Sequence, residues 1–196
     1  MTAAAMATLV LSIGATSSIF SVLNAALLKR LSYPSPERIV AVCEKNTVNP
    51  GTAVCSVGGF SVSNYMVWRD AASSFDAFAA FRERRVAIAA AGREAVSAQA
   101  RITTASLFKV LGARPFLGRF FTDAEDQVGG PDNVVLSHAF WRQYFAGDTG
   151  IIGRRVSLSS EDYTVIGVTA PEFGVYDPVD VWVAVPLGAA GRTAGG

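Results

Sequence analysis

From Ala5 to Leu28 the chain carries no ionisable side chain, and the first to appear is Lys29. As a helix this stretch would reach ~36 Å at about 1.5 Å per residue, enough to cross roughly 30 Å of bilayer hydrocarbon. A secretory signal would open on a basic region and close on a small-x-small cleavage site. Nothing before Lys29 is basic, and Asn24-Ala25-Ala26 is a poor site. The pattern therefore predicts a retained transmembrane helix over residues 5–30. On a helical period Leu9, Ile13, Phe20, Leu23 and Leu27 form one apolar stripe, while Gly14, Ser17, Ser18, Ser21, Asn24 and Ala25 form a small, polar stripe roughly opposite. The first suits lipid. The second lets another helix pack closely and hydrogen-bond, unless the hydroxyls only bond their own helix in a lone anchor.

The pattern then changes. Pro34 and Pro36 stop the helix, Ile39–Glu44 reads as a strand, and 46–59, with Pro50-Gly51 and Gly58-Gly59, reads as a loop. A helix is predicted over 61–72. Val86, Ile88 and Ala90 alternate up to a turn at Gly92, and Val96, Ala98, Ala100 and Ile102 alternate after it, the mark of an antiparallel hairpin with one buried face. Thr103 or Thr104 can cap a short helix over Ala105–Leu111, closed by Gly112. A turn-rich passage follows at 115–126, then a strand at Val134–Leu136. The next helix starts at Ser137, burying Phe140, Tyr144 and Phe145 together. A second hairpin joins Arg155–Leu158 to Tyr163–Val168 through Ser159–Asp162, and Val181–Val185 is the last strand. The expected fold class is α+β: one transmembrane helix (5–30), a mixed domain of antiparallel hairpins and short helices (34–187), and a flexible Gly/Ala-rich tail (188–196).

Charge adds to this picture. The 17 basic and 16 acidic side chains all lie beyond Leu28 and interleave, giving a net +1. That balance excludes a nucleic-acid surface, which needs a basic stripe. The densest run, Arg82-Glu83-Arg84-Arg85, reads as a solvated strand edge or loop. Cys43 and Cys55 cannot build a closed zinc site with His138 as the sole histidine. Outside the cytoplasm they can pair as a disulfide; otherwise they are two thiols.

Catalytic patterns are incomplete. Gly59-Phe60-Ser61-Val62-Ser63 resembles a nucleophile elbow, but Ser63 replaces its second glycine, and His138 would be the only base for a triad. Gly112 and Gly118 stand near phosphate-loop spacing, yet five residues separate them and no Lys-Ser or Lys-Thr follows. Asp123, Glu125 and Asp126 lack the glycine and spacing of a calcium loop and read as a solvated helix start. No catalytic residue, cofactor site or metal site is expected.

Several stretches together resemble one family. Ser21-Val22-Leu23-Asn24-Ala25 running into Leu31-Ser32-Tyr33-Pro34-Ser35-Pro36-Glu37-Arg38-Ile39-Val40 is similar to the first helix and the start of the periplasmic core domain in MacB-like, FtsX-type ABC transporter permeases, most of all the acidobacterial orphan permeases. Phe108–Arg119, Val135–Trp141, Ile152-Gly153-Arg154 and Tyr163–Val168 continue the likeness in family order.

The resemblance implies a non-catalytic permease subunit of the bacterial inner membrane. A separate ATPase partner would be coupled, through this transmembrane helix and other permease helices, to a periplasmic domain that works with partner proteins. Family members also carry a basic stretch before the first helix, later transmembrane helices and a second half to the core domain, so the chain reads as a fragment. The alternative is a membrane-anchored periplasmic binding or adaptor domain that acts without an ATPase.

Overall fold

The computed structural model divides into two compact units, Met1–Leu31 and Ser32–Gly196. It describes residues 6, 10, 12–14, 16, 17 and 20 of the first unit, and 33–42, 62–173 and 178–187 of the second. The first unit is helical at every described position. Met6, Val10, Ile13 and Phe20 are each more than half exposed, and the Thr16 hydroxyl donates to the Ser12 carbonyl at 2.8 Å. Among the described residues no helix is long and apolar enough to cross a membrane; the expected span over 5–30 falls largely outside them.

Among the described residues the second unit contains three α-helices and seven strands. In chain order they are α1 (Val62–Ala71), β1 (Phe81–Ala90), β2 (Val96–Thr103), α2 (Leu107–Val110), β3 (Pro115–Gly118), β4 (Asn133–Leu136), α3 (His138–Tyr144), β5 (Arg155–Leu158), β6 (Glu161–Thr169) and β7 (Val181–Ala184). Both expected hairpins form. β1 pairs with β2 around Gly92, whose φ of 73° suits glycine. β5 pairs with β6 around Ser159-Ser160, at φ 49° and 76°. Two consecutive left-handed residues match the twist of a tight hairpin.

The hairpins are joined by pairings that local alternation cannot reveal. β2 runs parallel to β7, β7 antiparallel to β4, and β4 parallel to β6. Because β1 also pairs with β5, the ring β6-β4-β7-β2-β1-β5 closes back on β6, and β3 adds beside the far half of β6. The domain is thus mixed α+β, with parallel pairings the sequence pattern had not suggested.

Closure gives two apolar layers separated by the strand pleat. Val134, Leu136, Val181 and Val183 face inward with Val86, Ile88, Val156 and Leu158, and α3 adds Phe140, Trp141 and Phe145. Their neighbours Val135 and Trp182 point outward into a second layer with Leu107 and Phe108 of α2 and Phe121. β4 is therefore buried along its whole length. A register shift opposite Val134-Val135 lets Val165 and Val168 of β6 both face inward while Ile166 joins the outer layer.

Several expectations are corrected. Pro115–Gly118, read as a turn, is strand β3, made possible by two close backbone approaches. A Cβ on Gly118 would lie 2.1 Å from the Ile166 carbonyl oxygen, and one on Gly167 would lie 2.1 Å from that of Arg119. Ile39–Val42 forms no strand; Ile39 is extended, but no ladder forms along the described part of this stretch. Helix α2 is not capped by Thr103 or Thr104, whose hydroxyls instead engage Ala80. Ser137 does cap α3, its Oγ accepting from the Phe140 N–H at 3.0 Å.

Candidate functional site

Of the small-residue face expected on the N-terminal helix, the structure describes Gly14 and Ser17, both helical and exposed. Ser18, Ser21, Asn24 and Ala25 lie outside the described residues, as do Cys43 and Cys55.

The groups that could carry chemistry fall into structural roles. His138 opens α3 half-buried, its ring edge-on to Phe116 at 5.1 Å and to Trp141 at 5.3 Å, while its backbone N–H donates to the Thr169 hydroxyl. Among the described residues no carboxylate hydrogen-bonds its ring. The stretch from Gly112 to Gly118 cannot cradle a phosphate: its backbone is engaged with β6, and Pro34 packs where a Cβ on Gly112 would sit.

The acidic stretch departs most from expectation. Asp123 is exposed, but Glu125 and Asp126 are only 4% and 6% exposed. Glu125 accepts from the Thr122 N–H at 2.8 Å, from the Thr122 hydroxyl and from Asn133 Nδ2 at 2.9 Å, and pairs with Arg119 at 2.7 Å. Burial opposes its charge, yet these donors prevail and hold the carboxyl near a pKa of about 2. Asp126 is different. Both its oxygens share one donor, the Ala105 N–H, at 2.8 and 2.7 Å. Burial dominates, and with the neighbouring charges of Asp123 and Glu125 it pushes this carboxyl up to about 6. The pair works as a latch: Glu125 ties the loop to the start of β4, and Asp126 ties it to the residues entering α2.

Arg101 lies on the face of β2 opposite Ala98 and Ala100, yet it too is withdrawn from solvent. It is 5% exposed, pairs with Glu83 across β1, and stacks its guanidinium 4.3 Å from the centre of the Phe81 ring. The outer layer covers this half of β2, so both faces are buried where one was expected. At the β5–β6 hairpin, burial and the bond to Glu161 push the Tyr163 phenol up to about 12. Among the described residues no group of three or more His, Cys, Asp or Glu side chains is placed to hold a metal ion.

Sequence reasoning missed the latch because burial of a carboxylate depends on donors from distant segments. The one available signal was the Thr122-x-x-Glu125 spacing of a capping box.

The described residues define a closed mixed-sheet domain in which His138, Glu125, Asp126 and Arg101 are engaged in packing and hydrogen bonding. Its family follows from comparison: the pattern of the MacB-like periplasmic core domain matches residues 2–195, and the chain belongs to that family. It is similar to the periplasmic region of MacB from Actinobacillus actinomycetemcomitans, at 17% identity and a TM-score of 0.48 over 67% of this chain and 59% of that one. It is also similar to the extracellular domain of the noncanonical ABC-type transporter YknZ from Gram-positive bacteria, at 16% identity and a TM-score of 0.51 over 62% and 60%. The chain thus spans about 60% of the length of these solved domains. No curated protein matches it.

Proposed function

We propose that this chain is a non-catalytic permease component of a MacB-like ABC transporter. Residues 5–30 cross the inner membrane, and the domain over 34–187 lies on the extracytoplasmic side. A separate cytoplasmic ATPase acts on it through the membrane helices. The observation that carries this reading is the family match running through both units, from residue 2 to 195. The exposed apolar side chains of the first unit support a lipid-facing helix. The absence of a catalytic role for this domain is part of the same proposal, supported by the structural engagement of His138, Glu125 and Asp126.

In this reading Gly14, Ser17, Ser18, Ser21, Asn24 and Ala25 face another permease helix, and Cys43 and Cys55 sit where an oxidising compartment lets them pair. The test is expression of the full chain in its native host, followed by purification in mild detergent and identification of any ABC ATPase that copurifies. Retention of the ATPase, and its loss on Gly14→Leu with Ser21→Leu, is expected. If no ATP-binding subunit is retained, the coupling role fails and the anchored adaptor reading replaces it.

A further inference from the structure

β1 is ten residues long, but β5 covers only Ile88–Ala90 of its outer edge. The Ser159 N–H donates to the Ala87 carbonyl at 2.8 Å, so at Ala87 the backbone groups point away from β2. Strand alternation carries the same direction to Arg85, Glu83 and Phe81. Among the described residues no strand meets that side. The open edge extends about 17 Å, room for a strand of five or six residues. Its charge is one-sided. Arg82, Arg84 and Arg85 are exposed, whereas the intervening Glu83 is taken by Arg101 and Gln99.

We propose that this edge of β1 docks an extended acidic segment of a partner protein, which adds as a strand antiparallel or parallel to Phe81–Arg85. Main-chain hydrogen bonds to the three outward-facing residues supply the pairing, and carboxylates opposite the arginines supply selectivity. Charged side chains also guard sheet edges against unwanted pairing. A guard of one sign repels basic and apolar strands, yet it leaves the edge attractive to an acidic one. The first residues of β6 beyond the bordering β5–β6 turn are Glu161 and Asp162, so the basic stretch has a defined end near Ala87. The inference stands on the strand edge alone and is independent of ATPase coupling.

The test uses the full chain in uncharged detergent micelles and a fluorescein-labelled decapeptide of alternating Glu and Val, with binding read by anisotropy. Comparators are the Lys-Val counterpart and a Glu-Val peptide N-methylated at alternate residues. Arg82→Glu with Arg84→Glu removes the charge match. Arg85→Pro removes one outward N–H without breaking a bond to β2. Expected is binding of the acidic peptide alone, weakened at least about tenfold, or 1.4 kcal/mol, by N-methylation and by either variant. Absence of acidic-peptide binding overturns the proposal. Equal binding of the N-methylated peptide also overturns it, since attraction would then act without strand addition; this comparison decides the matter even if a variant fails to fold.

Discussion

Glu125 and Asp126 are adjacent, both buried, and pushed in opposite directions, so their contributions to stability have opposite pH dependence. Glu125 is depressed to about 2 from 4.5. Its contribution, on the order of 3 kcal/mol, is present above pH 4.5 and is lost as pH falls through 2. Asp126 is raised to about 6 from 3.8. Its contribution, of similar order, is complete below pH 3.8 and is lost as pH rises through 6. Asp126→Asn keeps one oxygen for the Ala105 N–H and removes the buried charge. Thermal unfolding followed from pH 4 to 8 should therefore fall across pH 4–6.5 in the parent protein and stay nearly level in the variant. Glu125→Gln should cost about 2–3 kcal/mol at pH 7, because Arg119 and the Thr122 donors lose a charged acceptor. Parallel pH profiles for parent and Asp126→Asn would show that the Asp126 carboxyl does not titrate differently on folding.

At the scale of elements, backbone approach limits what the sheet accepts. Gly118 and Gly167 face each other across β3 and β6, and each would drive a Cβ into carbonyl oxygen. Gly167→Ala should lower stability by about 2–3 kcal/mol, read from the urea midpoint, since the obstructing atom is backbone and cannot rotate away. An unchanged midpoint would mean that β3 separates from β6 at little cost. The β5–β6 turn offers the opposite case. Ser159 and Ser160 both hold positive φ, and replacing them by Asn-Gly should stabilise by about 1 kcal/mol, or roughly 2–4 °C in Tm.

These elements also show what was legible in the sequence. Hairpins β1–β2 and β5–β6 were readable because alternation and turn residues are local. β3 was not, because Pro115 and Gly118 look like turn chemistry until Gly167 makes room for them. Ile39–Val42 has strand composition without a ladder, since propensity does not name a partner. The parallel pairings β2–β7 and β4–β6 join residues far apart in the chain, and the buried latch needs Thr122, Asn133 and Ala105 together. Reading Asp123–Asp126 as solvated followed from residue type, and only the assembled fold overturned it for Glu125 and Asp126.

At the scale of the whole molecule, two physical arguments about membrane orientation oppose each other. Lys29, Arg30 and Arg38 follow the apolar stretch and nothing basic precedes it, so the positive-inside bias taken alone would hold the domain in the cytoplasm. Membership of the MacB-like periplasmic core family favours the other side. The bias concerns orientation during insertion and is set by the basic residues flanking all the helices of a permease, whereas the family assignment rests on the match of residues 2–195 to the MacB-like periplasmic core domain. We therefore expect the domain outside the cytoplasm. The β5–β6 turn is a poor place for a probe, because Ser160 is at φ 76° and tolerates few side chains there. Gln143 is exposed on α3 and suits a cysteine. With Cys43 and Cys55 replaced by Ser, Gln143→Cys should react with an impermeant maleimide once the outer membrane is permeabilised. Labelling that appears only after the inner membrane is lysed would reverse the orientation and leave the charge bias as the better guide.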